Sequence, residues 1–398
     1  MDITIFPSKL HGNINIIPSK SQAHRILICS AFSDKPTHII CPQTNEDIEA
    51  TVRCLQALGA QIYRTEEGYQ VFPVVQIPGS AQMDCGESGS TLRFILPIVC
   101  ALGVKATIYM HGRLPERPLS PLWEELQRMG CMLYRPTYDS IQTTGKLRAG
   151  KYVIPGNISS QYITGLLFAL SLLEGNSQII VTGKMESAPY VAMTQSVLSQ
   201  FGVETEGLSI GGKFPFYSPE YIRVEGDWSN GAFFLTAKAL GSSLTIDNLT
   251  LGSTQGDKAI AEILQTNDNF PTICAADIPD LVPILAVYFA ARKGAIFTDI
   301  ARLRLKESDR VASVSKMLKN LGIKAQSDEN TMTVFPGCFT SGIVDAAGDH
   351  RIAMAAAIAA TIAEGPLTIL GAQCVAKSYP TFWQEYARLG GNYEQYIR

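Results

Sequence analysis

Leu318-Lys319-Asn320-Leu321-Gly322-Ile323 ends a helical pattern (Val311, Val314, Met317, Leu318, Leu321) with a glycine and passes into a strand-like segment. A glycine just past the last apolar helical position is a left-handed C-cap. The same ending recurs at Leu55–Gly59, Leu126–Gly130, Leu198–Gly202 and Tyr386–Gly390. The spacing is about 70 residues, with one gap of about 120 in which Ala261–Thr266 reads as a shortened copy. A period of this kind decides the fold class before any single motif does.

A second series interleaves with the first. Small polar residues open six apolar, helix-length runs, at Ser19–Gln22, Glu87–Ser90, Asn157–Gln161, Gly226–Ser229, Asp277–Asp280 and Gly348–Arg351. These are N-cap compositions, and the runs behind them carry so few charges that buried helices are expected. Strand-like pieces lie between the helices of each unit (Ala106–Met110, Ser177–Thr182, Ser243–Asp247, Pro366–Leu370). Alternating segments around turn residues follow the second helix, as in 61–72 and 324–335. The unit is helix, strand, helix, hairpin, repeated six times, which a simple doubly wound α/β fold does not do. Two domains of three units each are expected. The opening strands (Asp2–Phe6, Gly12–Ile17) and a Pro- and aromatic-rich link at Pro215–Val224 mark two passages of the chain. They give a discontinuous domain of residues 1–18 with 224–398 and a second of 19–223.

The totals narrow the class. The 398 residues are 46% hydrophobic and 17% charged with a net charge of −3, which gives no general attraction to nucleic acid or anionic membranes. Nine cysteines are scattered singly, as in reduced cytosolic proteins, and no secretory leader or membrane-length apolar run is evident. A cytoplasmic location is expected. There is no G-x-G-x-x-G after a strand, no Walker-type loop, no H-E-x-x-H and no histidine cluster, so nucleotide and metal chemistry are not indicated.

Local charge is where chemistry concentrates. Ile300–Lys306 alternates like a strand, which would set Arg302, Arg304 and Lys306 on one face. A helix starting near Glu307 would then bring Arg310 within a turn of Lys306. Four cations at one junction require an anion, or else form a solvated basic edge with a Glu307–Arg310 pair; both readings stand. Hydroxyls and amides crowd the helix openings (Ser21, Ser90, Ser159, Ser160, Gln161, Ser229), where free N–H groups suit anions. Lys20 with Arg25, and His350 with Arg351, add cations there, and a cation at a helix N-terminus is better explained by a bound anion than by capping. Arg117 and Lys377 each sit in an extended loop before a helix. Asp280 opens an apolar helix, as a cap or, with Glu307, as one of two carboxylates able to take and give a proton.

These motifs resemble those of the enolpyruvyl transferase family of EPSP synthases. The stretches are PSKSQAHR (18–25), CGESGSTLRF (85–94), ERPLSPL (116–122), GNISSQYITGLL (156–167), SAPY (187–190), DIPD (277–280), LRLKESDR (303–310), GDHRIAMA (348–355) and AKSYPTFW (376–383). The resemblance implies an α/β (α+β) fold of six βαβαββ units, three per domain, with helix N-termini facing an interdomain cleft. It implies transfer of the enolpyruvyl group of phosphoenolpyruvate to the 5-hydroxyl of shikimate 3-phosphate through a tetrahedral intermediate, in aromatic amino acid biosynthesis. No metal or organic cofactor is implied, the partners are the two small molecules, and the chain is expected to be a monomer. Glyphosate is the family's phosphoenolpyruvate-site inhibitor.

By motif, Lys20, Ser21, Arg25, Ser159, Ser160, Gln161, Ser187, Tyr190, Asp280 and Lys306 would hold shikimate 3-phosphate. Lys20, Gly89, Arg117, Gln161, Arg310, Arg351 and Lys377 would hold phosphoenolpyruvate. Asp280 resembles the base, Glu307 the proton carrier, with Lys20 and His350 nearby. Two positions depart from the common pattern: Glu87 stands where Asn is usual, and Arg302 where some members have a substrate-binding Asn. UDP-N-acetylglucosamine enolpyruvyltransferases share the fold, but have Lys-Asn where Lys20-Ser21 stands and usually a reactive Cys near the Arg117 loop, which 111–118 lacks. A non-catalytic phosphometabolite-binding protein on this scaffold would not need both Asp280 and Glu307.

Overall fold

The structure is a computed structural model that describes residues 1–212 and 216–396. The chain divides into two compact units, Met1–Ile17 with Gly226–Arg398, and Pro18–Glu225. Pro215, the start of the expected link, lies outside the described residues.

In the Pro18–Glu225 unit the repeat is plain. Ser80–Asp84 runs parallel to Lys105–Tyr109, the buried Gly89–Leu102 helix forming the crossover between them. Lys105–Tyr109 then pairs antiparallel with Ser140–Gly145, and that strand with Cys131–Tyr134. The same parallel-then-antiparallel order recurs in the sheet of Tyr221–Arg223, Thr37–Ile40, Gly68–Phe72 and Gln61–Arg64. A three-stranded version comprises Lys151–Pro155, Ser177–Thr182 and Ser209–Ile210.

The other unit carries two complete sheets and one remnant. Thr272–Cys274, Ala295–Thr298, Thr331–Val334 and Ala325–Ser327 form one sheet. Gly342–Asp345, Leu367–Leu370, Asp2–Phe6 and Asn392–Tyr396 form the second. The remnant is His11–Asn15 beside Ser243–Asp247. Its second helix is only Ile260–Ile263, which explains the long gap in the glycine series. The strand ahead of the first helix pairs with Ser243–Asp247, and Tyr221–Arg223 takes its place in the first sheet. That exchange is why the chain must pass twice between units.

Local chemistry accounts for the elements. The five C-cap glycines all have positive φ, for example +82° at Gly322. There Ile323 N–H reaches back to the Leu318 carbonyl and Gly322 N–H to the Lys319 carbonyl, closing the helix end. Asp227 and Asp349 cap their helices through side-chain oxygens, as do Ser19, Ser88 and Ser159. The Val282–Ala290 and His350–Ala360 helices are buried along their whole length, the first wholly apolar and the second apolar beyond His350 and Arg351.

Two local expectations fail. Ile300–Lys306 is no strand: the strand is Ala295–Thr298, and after Asp299, at φ +56°, the chain forms a 3-10 turn over Ala301–Leu305. The alternation of charge and leucine there reflects a turn that buries Leu303 while Leu305 stays exposed. The next helix begins at Arg310, not Glu307, because Asp309 caps it by accepting the Ala312 N–H.

The Gly89–Leu102 and Ser160–Ser171 helices pack closely through Gly165, where a Cβ would lie far short of van der Waals contact distance from the Arg93 carbonyl oxygen. Gly165→Ala is therefore expected to destabilise the protein by about 1–3 kcal/mol, because the backbone oxygen cannot move without its helix. Urea unfolding against wild type measures it, and an unchanged midpoint contradicts the close approach.

Candidate active site

In the unit that includes the chain termini, one guanidinium organises the acidic side chains. Arg310 is buried in the first turn of its helix and reaches three carboxylates. Nε donates to Asp349 Oδ2 at 2.8 Å, Nη1 to Asp280 Oδ1 at 2.5 Å and Nη2 to Glu307 Oε2 at 2.6 Å. Arg351 Nη2 donates to the other oxygen of Asp280 at 3.0 Å, and Lys306 Nζ lies 3.7 Å from Asp280 Oδ1. Asp349 also accepts Ser308 Oγ–H at 3.1 Å and the Arg351 N–H at 3.0 Å. Lys377 Nζ donates to the Gly348 carbonyl at 3.3 Å, so it too reaches the start of the His350–Ala360 helix. His350 is buried in that first turn.

The electrostatics follow from burial opposed by neighbours. Burial works against the Arg310 charge, yet Asp349, Glu307 and Asp280 hold its pKa well above the ordinary guanidinium value. Burial would raise Asp280, but Arg351, Lys306 and Arg310 outweigh it and hold the carboxyl well below its usual range. Lys306 is pulled down by burial to about 8, Asp280 opposing the shift.

The anion demanded by the clustered cations is thus supplied, in this state, by the protein's own carboxylates. Asp280 does not cap its helix, whose N-cap is Leu281. Arg351 is buried rather than solvated, while Asp349 does the capping. Of the four cations expected together, Lys306 and Arg310 meet at Asp280, whereas Arg304 turns to the Asp328 carbonyl at 2.6 Å. Arg302 is half-buried, and its charge is felt at Lys306.

The Pro18–Glu225 unit gathers a second group. Gly89 opens its helix beneath two guanidiniums: a Cβ there would lie 2.7 Å from Arg117 Nη1 and 2.8 Å from Arg93 Nη1. Arg93 Nη1 donates to Gln161 Oε1 at 2.7 Å and Nη2 to the Pro118 carbonyl at 3.1 Å, while Gln161 Nε2 donates to Ser90 Oγ at 2.9 Å. Arg117 Nε is buried and meets no acceptor among the described residues. Ser159 caps the next helix by accepting the Gln161 N–H, and Ser160 is buried behind it.

Lys20 Nζ pairs with Asp47 at 2.9 Å. Arg25 is buried with neutral acceptors, the Ser21 carbonyl (2.5 Å), Thr194 Oγ1 (2.9 Å), Thr164 Oγ1 (3.3 Å) and the Tyr190 carbonyl (3.0 Å), and burial lowers its pKa to about 10. Ser187 is buried at φ +57°, a left-handed conformation rare for serine and a form of strain that collects at functional sites.

Glu87 is turned aside. Its carboxyl packs on Gly112, whose Cβ position lies 2.5 Å from the Glu87 carboxyl carbon. Sequence reasoning passed over Arg93 and Asp47, and took Asp349 as no more than a helix cap. Arg93 had a legible signal, since it lies four residues beyond Gly89 on the same helix face; the two aspartates read only as caps or first-turn acids.

The profile of the family described as EPSP synthase (3-phosphoshikimate 1-carboxyvinyltransferase) matches residues 6–386. The chain belongs to that family. A 3-phosphoshikimate 1-carboxyvinyltransferase of Clostridium beijerinckii is 35% identical, with 99% of each chain covered. The enzyme of that name from Clostridioides difficile is 36% identical, covering 99% of this chain and 98% of its own. An EPSP synthase structure from Acinetobacter baumannii superposes with a TM-score of 0.81 at 24% identity, covering 99% of both chains, which establishes the two-domain enolpyruvyl transferase fold. As an EPSP synthase family member the protein is an enzyme of the shikimate pathway, and its substrates are shikimate 3-phosphate and phosphoenolpyruvate.

Arg310→Leu leaves three carboxylates, Asp349 fully buried and Asp280 and Glu307 partly so, short of a partner and is expected to cost about 3–5 kcal/mol of stability. Arg304→Leu, from the same motif, is expected to cost about 1 kcal/mol or less. Thermal denaturation of the two variants checks the contrast, and equal losses contradict the hub role of Arg310.

Proposed function

We propose that the two groups of side chains serve one reaction, addition of the 5-hydroxyl of shikimate 3-phosphate to C2 of phosphoenolpyruvate followed by loss of phosphate. The observation that carries this reading is Asp280 and Glu307 hydrogen-bonded to the same guanidinium, Arg310. Lys20, Ser21, Arg25, Ser159, Ser160, Gln161, Ser187, Tyr190 and Lys306 hold shikimate 3-phosphate. Gly89, Arg117, Arg310, Arg351 and Lys377, with Lys20 and Gln161, hold phosphoenolpyruvate. The two working domains are residues 1–18 with 224–398, and 19–223. The enzyme acts as a cytoplasmic monomer; no helix among the described residues is long and apolar enough to cross a membrane.

Substrate binding also arms the carboxylates. A base tied to two arginines is a weak base. When the phosphate and carboxylate of phosphoenolpyruvate compete for Arg310 and Arg351, Asp280 loses the charges that depress it, and burial then raises its proton affinity. It becomes able to accept the 5-hydroxyl proton only when the other substrate is present. Glu307, released from Arg310 in the same event, takes a proton from solvent and delivers it to C3, then takes a proton back from C3 as phosphate leaves. As the tetrahedral centre collapses and its bond to phosphate breaks, negative charge gathers on the departing phosphate, and cations already in place stabilise it without reorganisation.

Glu307→Gln is expected to bind both substrates and to lose turnover by about 100-fold or more, the scale of a lost general acid. Phosphate release in the steady state, beside calorimetric binding of each substrate, tests this; near-normal turnover removes Glu307 from the chemistry. Arg117→Ala is expected to raise the KM for phosphoenolpyruvate by about 10-fold or more while that for shikimate 3-phosphate changes little. Equal rises in both would reassign Arg117.

A further inference from the structure

Asp257 lies outside every motif assigned above, in the short turn Gly256–Ala259. Its side chain is buried, at 1% exposure. Oδ2 accepts the Ser229 hydroxyl, and Oδ1 is buried with no hydrogen-bonding partner among the described residues. Ser229, whose sequence position suited an external anion, is thus given to a protein carboxyl.

The turn holds Asp257 in place. Gln255 bridges the Trp228 N–H (3.0 Å) and the Gly226 carbonyl (2.8 Å), and its own N–H bonds Ser253 Oγ at 3.0 Å. Lys258 is tied to the carbonyls of Leu251 and Ser253, not to the carboxyl. The charged groups that Asp257 faces are Asp280, Arg351 and Asp227. Asp227 is the cap of the Trp228–Ala239 helix, on which Ser229 stands.

Charge decides the state of such a group. The cations Arg310, Arg351 and Lys306 already face the carboxylates Asp280, Glu307 and Asp349. An ionised Asp257 would add a further negative charge beside a site whose ligand is an anion, and would leave a buried charged oxygen without a donor. A proton on that carboxyl removes the extra charge.

We propose that Asp257 is a positioning residue that serves in its protonated form, so that Asp280 remains the ionised member of the pair and Arg351 keeps its charge for the substrate anion. The proposal rests on the roles given above to Asp280 and Arg351. The environment supports it: burial first, then the charge of Asp280, push Asp257 up to about 7, while Asp280 is held well below the carboxylate range. Two carboxyls driven apart in this way take opposite protonation states.

The sign of the pH effect follows. As pH rises through about 7, Asp257 releases its proton, Arg351 is partly neutralised, and kcat/KM for phosphoenolpyruvate falls. Loss of the Lys306 charge, near 8, acts in the same direction, so the variants must separate the two.

The test uses full-length enzyme labelled with 13C at aspartate carboxyls, with pH–rate profiles alongside. One carboxyl resonance should titrate near 7 and be absent from Asp257→Asn. In that variant the alkaline limb for phosphoenolpyruvate should move up by about half a pH unit or more. Ser229→Ala removes the hydrogen bond that favours the carboxylate form, so the resonance and the limb should both move up there too, which covers failure of the first variant to fold. The proposal is overturned if no aspartate titrates above about pH 6, or if the Asn variant keeps the wild-type limb. Full activity of Asp280→Asn would instead remove the assigned base, leaving the Asp257 titration as a separate result.

Discussion

A buried guanidinium with three carboxylates around it is the constraint on which the site depends. Each of the three comes from a different part of the chain: Asp280 from the approach to the Val282–Ala290 helix, Glu307 from the turn before Arg310, and Asp349 from the cap of the His350–Ala360 helix. Charge this deep is tolerated only when its partners are complete, so each side chain holds the others in register. The fully buried apolar helices behind them give the rigidity that such an arrangement needs.

The same arrangement ties catalysis to occupancy. Arginines that neutralise protein carboxylates in the absence of substrate are the groups best placed to exchange them for substrate anions, because the exchange trades one charge-assisted set of hydrogen bonds for another. The Pro18–Glu225 unit is built differently. Arg25 is held by threonine hydroxyls and backbone carbonyls, and Arg93 by an amide and a carbonyl. Neutral acceptors orient a cation without cancelling it, so Arg25 keeps its field.

A helix N-terminus presents free N–H groups wherever it occurs, but what occupies them differs from unit to unit. At Ser229 the hydroxyl goes to Asp257, at Arg351 the backbone N–H goes to Asp349, and at Gly89 the nearest groups are two guanidiniums. The absence of a side chain at Gly89 is what leaves room for Arg93 and Arg117 to approach one point on the helix.

The repeat, the capped helix ends and the set of chemistry-bearing motifs were legible in the amino-acid order, because capping, burial periodicity and glycine at positive φ are governed by neighbours a few residues away. The Leu318–Ile323 ending and the Ser243–Asp247 strand could be read for that reason. Ile300–Lys306 misled because a 3-10 turn and a strand can both alternate charge with leucine over so short a run. Asp349 and Asp257 could not be weighed in sequence at all. Whether an acid is a cap, a counter-ion or a buried proton holder depends on charges dozens of residues distant, and only folding sets those distances and the dielectric through which they act.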